Sequence, residues 1–426
     1  MKIAVVGLWH LGSVMSACLA QAGHEVIAYD PDVEIRNNFQ KAKAPIFEPQ
    51  LDALLQNTLQ SGSLTVVQEM ADLQKAEVVW ITFDTPVDES DIADVAFVQK
   101  NIEAIAPYID AKALLLVSSQ LPVGTTRALK NYLPNKNITV GYIPENLRLG
   151  KAIEVFTRPD RFVVGLETEN DREKVAEIFR PLTTNLIWMS IESAEMTKHA
   201  LNAFLATSIV FINEIATLCE QVGANATEVE RGLKSEERIG PKAYLRAGEA
   251  IAGGTLLRDV NFLNKIAKEK NISAHLMSAV IDSNHNHKAW LLNKVQHVLP
   301  DLKNKVIAIL GLTYKPNTNT LRRSTAVDIA LRLNEMGAKI KAYDPMIQVL
   351  PENLSSAIEL SSSIKNVLHE ADALILATAW PEFQDADMSM WLDNMNDVRI
   401  FDPCHFLASV LNHSQLNQYY TIGKSL

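Results

Sequence analysis

The sequence predicts an α/β protein: two doubly wound domains joined by an all-helical middle. Three observations carry this. Short apolar runs alternate with helical periods up to about residue 192. Strand-like runs then vanish until about residue 295, and "NKVIAILGLTYKP" (304–316) restarts the strand–turn pattern. Buried strands alternating with helices form parallel sheets covered on both faces.

Each element follows from its own stretch. "KIAVVGL" opens the chain as a strand, a helix runs through 12–22, and "HEVIAYD" is the second strand. "EVVWITF" (77–83), "ALLLVSS" (113–119), "ITVGYIP" (138–144) and "RFVVGL" (161–166) supply further strands. The middle begins with a helix opening near Ser193. "AKIKAYDP" (338–345), "ADALILAT" (371–378) and "VRIFDP" (398–403) complete the last part. Both α/β parts carry a Gly-Leu turn after strand one and Tyr-Asp-Pro after strand two, so the second pseudo-repeats the first. The expected domains are 1–192, 193–298 and 299–426.

Composition narrows the function. At 47% hydrophobic and 21% charged residues, the 426-residue chain can bury large cores. A formal charge of −10 argues against non-specific binding to nucleic acid or an anionic membrane. An anionic ligand then needs a locally basic or backbone-lined pocket. The apolar segment 200–220 contains Asn202, Asn213 and Glu214, which favours a buried helix over a membrane span. Cys18, Cys219 and Cys404 share no metal-ligand spacing, and His10 and His199 have no ligand-spaced partners, so no metal is expected. Lone cysteines and a strand almost at Met1 fit a reduced cytoplasmic compartment.

"GLWHLG" (7–12) sits where a dinucleotide turn belongs. Gly7 permits the tight turn and Gly12 close strand–helix packing, while the following helix offers its N-terminal amides to phosphate. Trp9 fills the middle glycine position, and its side chain is expected to point away and line the site. Asp30, closing the second strand, can bind a ribose diol and would repel a 2′-phosphate, which favours NAD. Both α/β domains are thus Rossmann-like.

Longer motifs identify a resemblance. "SAEMTKHALNAFLATSIVFINEIATLCEQVGA" (193–224), "ERIGPKAYLRAG" (237–248) and "LGLTYKPNTNTLRRS" (310–324) resemble the UDP-glucose/GDP-mannose dehydrogenase family. So do "PIFEPQL" (45–51), "LPVGTT" (121–126), "PENLRLGKAI" (144–153) and "RPDRFVVG" (158–165), in the same order. The resemblance implies an N-terminal NAD domain, a central dimer-building domain and a C-terminal nucleotide-sugar domain. Cofactor contacts then fall to Gly7, Trp9, His10, Leu11, Gly12, Asp30, Thr85 and Gln120. Nucleotide-sugar contacts fall to Glu145, Asn146, Leu147, Lys198, Asn202, Gly253, Gly254, Lys315 and Arg322.

Family members oxidise a sugar alcohol to a carboxylate through a cysteine thioester. Here "AGGTLLRD" (252–259) puts Thr255 at the cysteine position. The resemblance assigns catalysis to Lys198, Asn202, Asp259 and Glu145. Lys198 and Asn202 lie four apart on one helical face, where a cation and an amide can stabilise an alkoxide. Asp259 handles a proton through water; its bland alternative is a surface pair with Arg258. Leu149 replaces a family glutamate, Gln120 a threonine, Arg323 a glutamate and Cys404 a substrate-contacting arginine. A threonine alcohol is rarely ionised near neutral pH, and no adjacent base activates Thr255. The sequence therefore favours one two-electron hydride transfer. Full oxidation through a hydrate, with Asp259 or Glu145 guiding water, and a non-catalytic binding subunit stay open.

Overall fold

The computed structural model describes residues 1–86, 93–145, 147–252, 255–322, 324–385, 387–412 and 414–425. Asn146, Gly253, Gly254 and Arg323, singled out above, lie outside them. The chain forms two compact units, Met1–Leu201 and Asn202–Leu426.

The strands of the first unit are β1 (Lys2–Val6), β2 (Glu25–Tyr29), β3 (Leu64–Val66), β4 (Val78–Ile81), β5 (Leu114–Val117), β6 (Thr139–Tyr142), β7 (Phe162–Leu166) and β8 (Leu186–Met189). They form one sheet in the order β3-β2-β1-β4-β5-β6-β7-β8. Along β1, Ile3 and Val5 enter one hydrophobic layer while Ala4 and Val6 enter the other. That period of two, apolar on both faces, is why the strand reads as an unbroken apolar run. All pairings are parallel except β6 with β7, where Gly141 opposes Leu166 and Tyr142 opposes Gly165. The sheet is thus mixed at this junction, where the sequence led us to expect a parallel sheet throughout. A Cβ on Gly165 would fall 2.7 Å from the Ala194 Cβ, so the glycine lets a helix start pack flat on the sheet.

That helix, Ile191–Val222, runs through the division between the units. By length and composition it could cross a membrane. In the second unit its Ala203, Ala206 and Val210 pack with Leu257, Val260 and Val280. Ile212, Ala216 and Cys219 pack with Ala226, Leu245 and Ile422. Phe204, Phe211, Leu218 and Val222 remain exposed. The helical middle continues with Ala226–Ser235, capped by the Asn225 side chain on the Thr227 N–H, then Thr255–Glu269, His275–His287 and Trp290–Val298.

The second sheet comprises β9 (Val306–Leu310), β10 (Lys339–Tyr343), β11 (Ile358–Leu360), β12 (Ala373–Leu376), β13 (Ile400–Phe401) and β14 (Tyr419–Tyr420). Its order is β11-β10-β9-β12-β13-β14, every pair parallel. The pseudo-repeat extends to atoms. Gly7 and Gly311 both have positive φ, and their N–H groups donate to the Tyr29 and Tyr343 carbonyls at 2.9 and 2.8 Å.

Candidate active site

The glycine turn of the first unit is built for close approach. Gly7 holds φ +99°, and a Cβ there would lie 2.7 Å from Phe83 Cδ1. A Cβ on Gly12 would lie 1.7 Å from the Gly7 carbonyl oxygen, so only glycine lets the helix His10–Gln21 sit this near the turn. Thr82 and Ser13 fasten the turn from either side: Thr82 Oγ1 donates to the Gly7 carbonyl at 2.7 Å and Ser13 Oγ to the Leu8 carbonyl at 2.7 Å. Neither was singled out in the sequence, because a threonine ending a strand and a serine in a helix carry no signal of their own.

Trp9 occupies the N-cap with no side-chain cap bond and is 40% exposed. Its bulk therefore leaves the turn's interior. Leu11 follows in the first helical turn, half-buried, and that turn holds no acidic side chain to repel phosphate. The turn and the helix start together fit a dinucleotide pyrophosphate.

Asp30 closes β2 with two tasks. Its Oδ2 accepts the Leu8 N–H at 2.6 Å and its Oδ1 the Asp32 N–H at 2.9 Å. Burial pushes its carboxyl up, and those two N–H groups pull it back. Arg36 lies close by but is committed inward. Its Nη1 donates to the Asp30 carbonyl at 2.5 Å, and its guanidinium sits 5.2 Å from the Tyr29 ring centroid. Such an arginine is not presented to a 2′-phosphate.

Thr85 and Gln120 lie just past β4, which neighbours β1, and β5, the next strand in the sheet, at the carboxyl edge where such sheets bind ligands. Thr85 Oγ1 donates to the Gln120 carbonyl at 2.8 Å. Past β6, half-buried Glu145 offers its backbone carbonyl to Lys198 Nζ. Lys198 is 7% exposed, far from the solvated lysine that spacing alone allowed. Its neighbour His199 is fully buried and hydrogen-bonded through Nε2 to the Leu121 carbonyl at 3.0 Å, a packing role that anchors the helix beside Gln120. Leu147 packs its side chain against the core.

In the second unit Asn202 Nδ2 donates to Asp259 Oδ2, and both side chains are buried. The surface pair considered for Asp259 is corrected here: Arg258 is only 7% exposed. Helix Thr255–Glu269 turns both residues inward because its apolar face carries Leu257 and Val260. Thr255 opens that helix and is exposed. Lys315, half-buried, and Arg322, exposed, lie in the segment after β9. Asp344, the counterpart of Asp30, accepts at Oδ2 from the Leu312 and Thr313 N–H groups, Thr313 Oγ1 and Trp380 Nε1.

No cysteine is set up as a nucleophile. Desolvation pushes the Cys18 and Cys404 thiols up to about 12, the opposite of thiolate activation. Cys219 is buried in the long helix.

Comparison with known proteins agrees across the chain. Residues 1–183 match the NAD binding domain of the UDP-glucose/GDP-mannose dehydrogenase family, residues 192–286 its central domain and residues 308–409 its UDP binding domain. A UDP-glucose 6-dehydrogenase of Rickettsia bellii is 34% identical, with all of both chains covered. The UDP-glucose 6-dehydrogenase YwqF of Bacillus subtilis is 32% identical over 100% of this chain and 98% of its own. Among solved structures, a UDP-glucose dehydrogenase from Pyrobaculum islandicum superimposes with a TM-score of 0.88 at 26% identity, covering 100% of this chain and 98% of that one.

Proposed function

The chain belongs to the UDP-glucose/GDP-mannose dehydrogenase family and is an NAD-dependent enzyme; from that premise we propose that it removes a single hydride from a hydroxyl of a nucleotide sugar, leaving a carbonyl. The observation carrying the two-electron reading is the nucleophile position. Thr255 stands there, exposed and with no histidine adjacent in sequence, while Cys18 and Cys219 are buried and the half-buried Cys404 has its thiol pushed up by desolvation. UDP-glucose heads the substrates to test, because the similar enzymes of Rickettsia and Bacillus bear its name.

The turn Gly7–Gly12 with Trp9, His10 and Leu11, Asp30 on the ribose, and Thr85 and Gln120 beyond it would hold NAD. When bound, that cofactor supplies the hydride acceptor. The remaining work belongs to side chains. Lys198 and Asn202, one turn apart on a single helix, direct an ammonium and an amide at the reacting oxygen and stabilise the alkoxide. Asp259 accepts from the Asn202 amide and so fixes its orientation; through water it takes the hydroxyl proton, while the hydride leaves with both electrons. On this reading Glu145 and Leu147 would contact the sugar and Lys315 and Arg322 the diphosphate; Asn146, Gly253 and Gly254, assigned with them by the family resemblance, lie outside the described residues.

We also propose a homodimer in the cytoplasm, formed through domain 193–298. The exposed Phe204, Phe211 and Leu218 repeat every seven residues, and Val222 extends the stripe. A large apolar stripe with this period supports a helix–helix subunit contact over a membrane span.

A panel of UDP- and GDP-linked sugars with NAD tests the chemistry. One NADH per sugar consumed is expected. Two per sugar would restore the full oxidation, and binding without turnover on any sugar would favour a non-catalytic subunit.

A further inference from the structure

Glu48 precedes the helix Leu51–Ser61 and is 4% exposed, a carboxylate taken out of water without an Arg or Lys partner among the described ion pairs. Three donors compensate it. His10 Nε2 lies 2.9 Å from Oε2, the Gly150 N–H donates to the same oxygen at 2.9 Å, and the Ala152 N–H donates to Oε1 at 2.8 Å. A carboxylate only accepts, so the His10 Nε2 carries the proton in this contact.

These donors come from two places. His10 is the first residue of the helix that follows the glycine turn. Gly150 and Ala152 follow Glu145 and Leu147 in the chain. All three belong to the first compact unit. The side chain of a single buried residue thus satisfies donors from both segments. The protein backbone at 150–152 cannot replace the carboxylate with water, because the Glu48 side chain is almost fully enclosed.

We infer that Glu48 is a positioning residue that couples the cofactor turn to the segment after Glu145, so that a dinucleotide on residues 7–12 also orders residues 147–152. The inference rests on the proposed placement of NAD and of the sugar at these two segments. His10 is the movable member of the link. A phosphate drawn to the helix start fixes the imidazole, the fixed imidazole holds Oε2, and Oε1 and Oε2 hold the Ala152 and Gly150 amides. Glu48→Gln is nearly isosteric yet presents an NH2 group to donors, so at least one of the three contacts must be lost.

Amide hydrogen exchange at residues 148–152, with and without saturating NAD, reads the coupling without requiring turnover. In the wild-type protein NAD is expected to slow exchange there by about fivefold, the lower end of an ordinary coupling between sites. The slowing is expected to disappear in His10→Ala and Glu48→Gln and to return in His10→Gln, whose amide nitrogen reaches the position of Nε2. In steady state His10→Ala should raise the KM for the nucleotide sugar as well as that for NAD. Undiminished slowing in His10→Ala, or wild-type protein that binds NAD with unchanged exchange at 148–152, overturns the inference alone. Wild-type protein that binds no NAD overturns the cofactor placement itself, and the inference with it. Equal thermal destabilisation of all three variants with unchanged KM values would reduce Glu48 to a structural group.

Discussion

Asp30 and Asp344 occupy the same corner of two related sheets, yet only one is free enough for a ligand. Asp344 gathers four donors on a single oxygen, whereas Asp30 Oδ2 accepts, among the described residues, from the Leu8 N–H. The aspartate after strand two is thus a staple for the glycine turn in both domains, and the ribose role we propose for it in the first would be an added use. Trp9 is similarly sharpened. Since its side chain leaves the turn and caps nothing, it can cover the cofactor without blocking it. NAD should quench the protein's tryptophan fluorescence, and Trp9→Phe should remove most of that quenching; an unchanged quench in the variant would place Trp9 away from the cofactor. Lys198→Ala removes the buried cation that we propose stabilises the reacting oxygen. It should lower kcat by about a hundredfold to a thousandfold, with NAD binding retained by calorimetry. A loss confined to KM would make Lys198 a binding residue only.

At the scale of elements, the segment before helix Thr255–Glu269 carries a pH dependence. Desolvation pushes the Glu249 carboxyl up to about 7, and the nearby Asp402 charge adds to the push. The unfolded chain releases this proton near the ordinary glutamate value of about 4.5, so the folded state binds the extra proton between the two values. The resulting stability is whole below about pH 4.5 and lost as pH rises to about 7. Glu249→Gln should therefore raise Tm at pH 8 and leave it nearly unchanged at pH 4.5. Equal shifts at both pH values would show that the carboxyl does not titrate in this window.

The elements also show what the sequence could and could not disclose. Strands such as β1, β4 and β5 are apolar on both faces and announce themselves. β3 and β11 are three residues each and β14 two, too short for a period to appear, and β8 is a four-residue edge strand with Ile187 exposed. The antiparallel entry of β7 depends on tertiary packing at Gly141 and Gly165, which no local pattern encodes. In the candidate site, the sequence singled out residues that sit in a motif: Gly7, Gly12, Asp30, Lys198, Asn202 and Asp259. Thr82, Ser13 and the bonding of Glu48 were not, because their partners lie far away in sequence or on the backbone.

For the whole molecule, the formal charge of −10 makes local compensation necessary wherever a diphosphate binds. On the proposed reading, backbone amides of the first unit and Lys315 and Arg322 of the second would answer that need in different ways. The exposed stripe on Ile191–Val222 belongs to this scale too. Phe204→Asp with Leu218→Asp should convert a dimer to a monomer in light scattering, with the fold kept by circular dichroism. A wild-type monomer, or a dimer indifferent to both changes, would contradict the subunit contact.

The central claim is that the chemistry stops at a carbonyl. Mass analysis of the sugar product, with hydroxylamine present to trap carbonyls, tests it most directly. The account predicts an oxime of a product two hydrogens lighter than the substrate, formed with one NADH. A free carboxylate carrying one oxygen more and two hydrogens fewer, formed with two NADH and no oxime, would contradict it.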